Sequence, residues 1–279
     1  VKSGAEDYAS EHSDKVTVEV KGPSSETAFD EMQNMIETDL SSGTYDGIVI
    51  SPLQSDTAAQ LVSGTKLPIV AIDTNFTAPE VKSFVGTGNE AAAKKGGEAA
   101  VEAAKAAGWT DIKCIEIAGV QGDETHEARL RGYRDAIEAA GGQVLEVQYT
   151  DTMPDKAAAA MEAVIQKYPN GVDAVLSIAD DMALAAAKVI KDSGNANYAD
   201  TVLCGFDGNQ SAVEAVEAGS LTIDIAQMGY DMGYKAVEAA VKVLDGDKVD
   251  SFIDSGSKVI DSGNIEDYIA DMKSKGLWE

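Results

Sequence analysis

Polar side chains gather where short apolar runs end in this 279-residue sequence. Ile69–Ile72 runs into Asp73-Thr74-Asn75-Phe76, and Ala174–Ile178 runs into Ala179-Asp180-Asp181. Val202–Gly205 leads to Phe206-Asp207-Gly208-Asn209, and Thr222–Ala226 leads to Gln227. After Gly47–Ile50 comes Ser51-Pro52-Leu53-Gln54-Ser55-Asp56, and after Ile112–Ala118 comes Gly119-Val120-Gln121-Gly122-Asp123, then Arg129. Carboxylates and amides in such places accept and donate hydrogen bonds to vicinal hydroxyls, and a planar guanidinium grips two adjacent oxygens at once. Each residue also has a local explanation. Asp56, Asp180 and Asp181 stand where helices begin and suit N-capping. Asp73 and Asp207 suit turns. Arg129 shares its segment with Arg131 and Arg134 and suits a solvated helix face, and Gln227 suits a strand edge. None is specific alone; their recurrence at six run ends carries the inference.

The elements that position these residues follow from periodicity. Strand-like runs cover Val16–Val20, Gly47–Ser51, Ile69–Asp73, Phe84–Gly86, Ile112–Ala118, Val144–Tyr149, Ala174–Ile178, Val202–Gly205 and Thr222–Ala226. Between most of them apolar residues recur at helical spacing, as in Met32, Met35, Ile36, Leu40 and in Ala128, Tyr133, Ile137. The runs are short, rich in Val and Ile and barely alternate, the mark of parallel strands buried on both faces. Repeated strand–helix–strand units predict an α/β fold of doubly wound parallel sheets. So many strands exceed one modest sheet, and no Pro/Gly/Ser-rich tether divides the chain. This predicts two domains whose crossovers are embedded in structure. In such sheets ligands bind beyond the carboxyl ends of the strands, where the polar residues collect.

Composition narrows the function classes. The formal net charge is -26, which disfavours nucleic acid and anionic membranes as partners and favours solubility. Cys114 and Cys204 each sit inside an apolar run and read as small buried hydrophobes. The acids are dispersed, and no His/Cys cluster predicts a metal site. No run of apolar residues is long enough to span a bilayer. The chain opens with VKSGAEDYASEH, already at helical spacing through Val1, Ala5, Tyr8 and Ala9. It reads like the middle of a protein, with a leader and a first strand expected before it.

Several segments in this order resemble the type I periplasmic sugar-binding proteins of ABC transporters, the ribose- and galactose-binding group. They are YDGIVISPLQSD, LPIVAIDTN, the G-x6-R-x2-G pattern within GDETHEARLRGYRDAI, DAVLSIADDMALAAAKVIKDSG, VLCGFDGN and TIDIAQMGYDMGYKAVEAAVKVLDG. The resemblance covers nearly the whole chain. It implies two Rossmann-like domains joined by three hinge crossovers, residues 1–107 with 228–256 and residues 108–227 with 257–279. It implies a monosaccharide or polyol bound in the interdomain cleft with hinge closure, a membrane permease as partner, no cofactor, no catalysis, a monomer and an extracytoplasmic location. Carried over by residue, Asp73 and Asn75 would bond the ligand from the first domain, and Arg129, Asp207 and Gln227 from the second. The chain departs from the family at Ala179, where relatives carry a ligand-binding Asn, and at Thr74, where many carry Arg. The family's first strand and its sugar-stacking aromatics have no counterpart in the sequence, and Phe76 is the one nearby aromatic that could substitute.

Other readings use the same residues differently. The fold also serves as the effector domain of lactose-repressor-type regulators, which need a basic helix-turn-helix that this acidic sequence does not contain. Gly86-Thr87-Gly88-Asn89-Glu90-Ala91 has the shape of a pyrophosphate-cradling turn of an NAD-dependent oxidoreductase, but it follows several strands and no terminal acid stands at the expected spacing after it. A hydrolase would need a nucleophile elbow, which is absent. His12 lies in a polar stretch, and His126 falls near the expected cleft.

Overall fold

Short Val- and Ile-rich runs bounded by Gly, Pro and Asp become strands, and the Ala-rich stretches between them become helices. The computed structural model describes residues 1–25 and 28–278. Along the chain come α1 (Lys2–Glu11), α2 (Phe29–Ser42), β1 (Ile48–Ile50), α3 (Ser55–Leu61), β2 (Ile69–Ile72) and β3 (Val81–Gly86). Then follow α4 (Asn89–Ala106), β4 (Lys113–Ala118), α5 (Glu124–Ala139), β5 (Gln143–Tyr149), α6 (Pro154–Lys167) and β6 (Ala174–Ser177). The last are α7 (Asp180–Ser193), β7 (Val202–Asp207), α8 (Gln210–Glu217), β8 (Ile223–Gln227), α9 (Gly229–Leu244), β9 (Phe252–Asp254), β10 (Ser257–Ile260) and α10 (Ile265–Ser274).

The chain forms two units, Val1–Thr87 with Met228–Gly256, and Gly88–Gln227 with Ser257–Glu279, so it passes from one to the other three times. The first unit holds a parallel sheet in the order β1-β2-β3-β9. Alternation along β2 serves two cores. Ile69 and Ala71 pack with Ile36, Ala58 and Val62, while Val70 and Ile72 pack with Met232, Ala236 and Ala239 of α9. The second unit holds a sheet in the order β10-β8-β7-β6-β4-β5, parallel except for β10, which runs antiparallel to β8. One continuous core fills it, including Ile115, Ile117, Leu176, Phe206, Val213 and Ile225.

Three features differ from the sequence expectation. Val16–Val20 is not a strand; it has no regular structure and pairs with no strand, with Val16 and Val18 half-buried beside Tyr8 and Val237. The short runs Phe252–Asp254 and Ser257–Ile260, which carry little apolar signal, become strands by pairing at β3 and β8. The division between units falls at Thr87/Gly88, not at residue 107, because α4 packs on the second unit. Small residues cause this close packing. A Cβ on Gly132 of α5 would lie 2.2 Å from the Glu90 carbonyl oxygen of α4, and one on Gly97 would lie 2.7 Å from Ala136 Cβ.

Candidate functional site

The second unit assembles its strand-end residues into one hydrogen-bonded set. Arg129 sits in the second turn of α5, a helix capped by Asp123, whose side chain accepts from the His126 N–H at 3.0 Å. From there the guanidinium reaches over the carboxyl ends of β6 and β7. Its Nε donates to Asn89 Oδ1 at 2.8 Å, and its Nη1 donates to the Ile178 carbonyl at 2.7 Å and to Asp207 Oδ1 at 3.0 Å. Its Cζ lies 3.7 Å from the centre of the buried Phe206 ring, so the cation is held by a π face as well as by three acceptors. Arg129 is therefore buried, 7% exposed, and not part of a solvated face; Arg131, which pairs with Glu90 and Glu124, is the exposed one.

Asp207 Oδ1 also accepts from Gln227 Nε2 at 2.8 Å. The two strands bring this about directly, since Asp207 of β7 stands opposite Ala226 of β8, next to Gln227. Arg129, Asp207 and Gln227, read separately from the sequence, are thus in one network, and the Asp207 side chain keeps 27% of its surface open. Asp207 has φ 134, a backbone region that disfavours a side chain and that persists where the surroundings over-determine it.

In the first unit Asp73 ends β2 with φ 62, again left-handed for a non-glycine residue. Its N–H donates to the Val85 carbonyl at 2.9 Å, which fixes the turn, and its side chain is exposed together with those of Thr74 and Asn75. The Asn75 carbonyl accepts from Ser55 Oγ at 3.0 Å. Phe76 does not supply an aromatic face there. It is 4% exposed and packs in the core with Ile50, Ile69 and Ala71.

Other expectations change with the geometry. Asp56, Asp180 and Asp181 are not caps; α3 and α7 begin after Gln54 and Ala179 without a side-chain cap bond. Asp180 is fully buried, and its Oδ2 accepts from the Asn209 N–H at 2.8 Å. Asn89, within the Gly-rich turn, is the acceptor of Arg129 Nε. Cys114 and Cys204 are buried free thiols, as the apolar runs around them require. His126 accepts the Val120 N–H on Nδ1 at 3.0 Å and thereby ties the loop after β4 to the start of α5. Among the described residues no cluster of acids, His and Cys could hold a metal ion, and no helix is long and apolar enough to cross a membrane.

The structure also presents an apolar feature that the strand ends do not signal. Val120 beyond β4, Tyr149 at the end of β5 and Met153 beyond it are exposed large side chains. The two loops are joined there, since the Asp151 N–H donates to the Gly119 carbonyl at 3.0 Å. Asp151 and Thr152, with φ 52 and 58, make the left-handed turn that presents Met153. Among the described residues, those with φ above zero that are not glycine thus occur only just after β2 and β5 and at the last residue of β7.

Known proteins share this architecture. A family model described as a periplasmic binding protein domain matches residues 1–248. The ribose import binding protein of Salmonella typhimurium is 33% identical over 205 residues, 72% of this chain and 67% of that protein. The ribose import binding protein of Bacillus subtilis is 29% identical over 263 residues, 93% of this chain and 81% of that protein. A periplasmic solute-binding protein of an ABC transporter from Actinobacillus succinogenes, solved with bound D-allose, superimposes with a TM-score of 0.80 at 20% identity, covering 96% of this chain and 93% of its own. The match to the family along most of the sequence, on the fold just described, establishes that the chain belongs to the periplasmic binding protein domain family.

Proposed function

We propose that this chain is the solute-binding component of an ABC importer, working outside the cytoplasm, and that it captures a monosaccharide or polyol without transforming it. The observation that carries this reading is the convergence of Arg129 and Gln227 on Asp207 Oδ1, in a carboxylate that remains partly open and sits on a strained backbone. Such a charge-paired carboxylate and guanidinium bind adjacent hydroxyls through charge-assisted bonds. Asp73 and Asn75 are proposed as ligand contacts from the first unit, on the strength of their exposure at the end of β2 and the left-handed turn at Asp73. The exposed Val120, Tyr149 and Met153 supply apolar surface suited to the C–H face of a sugar ring. The relatives named for ribose import and the neighbour holding D-allose make D-ribose, D-allose and their analogues the first ligands to try. The protein is proposed to act as a monomer that delivers its ligand to a membrane permease.

Thermal unfolding against a panel of pentoses, hexoses, polyols, inositol, amino acids and NAD tests this. A ligand at about 100 times its Kd adds about 2.7 kcal/mol of stability. One or a few sugars or polyols should raise Tm clearly. Stabilisation by NAD alone would refute the transport reading.

A further inference from the structure

Beneath the Asp207 turn lie two carboxyl groups that the network above does not use. Asp180 opens α7 and Asp224 is the second residue of β8, and both are fully buried. They meet over the backbone of Gly205. A Cβ placed there would lie 2.6 Å from Asp180 Oδ1 and 3.4 Å from Asp224 Oδ1, so only a glycine leaves room for the pair. Asp180 Oδ1 and both Asp224 oxygens lack a hydrogen bond of full geometry; the Ile225 and Gly208 N–H groups lie near Asp224 and favour its charged form only in part. Buried acceptors in that state are costly, and two adjacent buried carboxylates are costlier still. One proton held between them eases both penalties, because it joins Asp180 Oδ1 to one Asp224 oxygen by a hydrogen bond and removes one of the two negative charges.

We infer that Asp180 and Asp224 share a single proton across Gly205, and that the protonated pair positions the turn of residues 207–209 that presents Asp207. The inference rests on Asp207 being a ligand contact. The mechanical link is direct. Asp180 Oδ2 accepts the Asn209 N–H at 2.8 Å, which fixes the start of α8, and the turn itself lies against β8, where a Cβ on Gly208 would sit 2.6 Å from Ala226 Cβ. The charges around the pair act in one sense. Asp207 faces it from β7, while the neutral Cys204 thiol, Tyr133 hydroxyl and Tyr268 hydroxyl line the rest. The nearby cation, Arg129, is committed to Asp207 itself. Burial, then the neighbouring carboxylate, raises Asp180 well above the ordinary carboxylate range, and burial raises Asp224. Loss of the shared proton would set three carboxylates against one another around this turn.

The test compares the wild type with Asp180→Asn and Asp224→Asn from about pH 5 to about pH 9. The readouts are the unfolding constant in denaturant and the Kd for D-ribose and D-allose. Asn at either position stands in for the protonated acid. It can donate to the remaining carboxylate, and at 180 its carbonyl still accepts from Asn209. A raised carboxyl contributes stability that is full below its ordinary pKa and is lost as pH rises through its folded value. The wild type should therefore become easier to unfold with rising pH, up to about tenfold per pH unit more steeply than either variant where the proton leaves. Its sugar affinity should fall several-fold over the same range, while that of Asp180→Asn stays level. Equal pH slopes of unfolding in wild type and both variants would overturn the shared proton. Equal slopes of sugar affinity, with unequal unfolding slopes, would overturn the positioning role. A wild type that binds neither sugar nor any other panel ligand at any pH would instead sink the functional reading and the positioning role with it, while the unfolding slopes would still decide the proton.

Discussion

At the residue scale, Arg129 loses its solvated-face explanation once its partners are known, while the turn explanations of Asp73 and Asp207 hold and leave their side chains available. Arg129 lies on a helix with two other arginines, yet it alone is buried over Phe206 and bonded to Asn89, Ile178 and Asp207. Asp73 and Asp207 both hold backbone angles that cost of order 1–3 kcal/mol in a non-glycine residue. This leads to a trade-off at Asp73. Asp73→Gly should raise stability in denaturant by up to about 1 kcal/mol, because glycine accepts φ 62 without strain. The same change should weaken sugar binding in calorimetry. A stability loss with unchanged affinity would mean that Asp73 is a turn residue and no more. Legibility at this scale was uneven. Arg129, Asp207 and Gln227 could be named because each ends a strand or follows one. Asn89 and Asp224 could not. Asn89 sits in a Gly-rich turn whose shape suggested a phosphate cradle, and Asp224 hides in IDIAQ, a strand buried on both faces, where alternation gives no sign of which face holds an acid.

At the element scale, two helices and one strand set the geometry. α4 and α5 touch through glycines, and the Arg129–Asn89 bond joins that same pair of helices. Gly132→Ala would drive a methyl to 2.2 Å from a backbone oxygen, so the helices must separate. Overpacking of this kind should cost about 2–3 kcal/mol in denaturant unfolding and should weaken sugar binding too, by stretching the Arg129–Asn89 bond. Unchanged affinity in a destabilised variant would detach the site from the helix pair. Strand β4 carries a different device. Glu116 is fully buried, and its Oε2 accepts from Arg134 Nη2 at 2.9 Å. Burial, partly offset by Arg134, pushes its carboxyl up to about 7. The sign follows from linkage. The group favours the folded state fully below its ordinary pKa, and that contribution is lost as pH rises through about 7. Glu116→Gln should therefore flatten the fall of stability between about pH 5 and about pH 8 by up to about 3 kcal/mol, as read by denaturant titration at each pH. An unchanged profile would mean that Glu116 stays ionised throughout. Parallel buried strands were easy to recognise from Val- and Ile-rich runs. The allegiance of α4 was not, since small residues facing small residues leave no polarity pattern. Val16–Val20 shows the converse, a strand-like run that joins no sheet.

At the scale of the whole molecule, the sequence order of strands and helices pointed to the α/β class and to two units, and the fold has both. The position of the division was harder to read, because a crossover is defined by what its helix packs on. The acidic surface, with a formal net charge of -26, suits a soluble carrier of neutral ligands and repels nucleic acid. The central claim, that a sugar or polyol is held by the Asp207 network, is tested most directly by isothermal titration of D-ribose, D-allose and any stabilising ligand from the thermal panel. Wild type, Arg129→Ala and Asp207→Ala should be measured side by side, with folding checked by circular dichroism. The account predicts binding by the wild type and a loss of about 2–4 kcal/mol in each variant, because a buried, charge-paired contact is left without its partner. Wild-type affinity in both folded variants would contradict it.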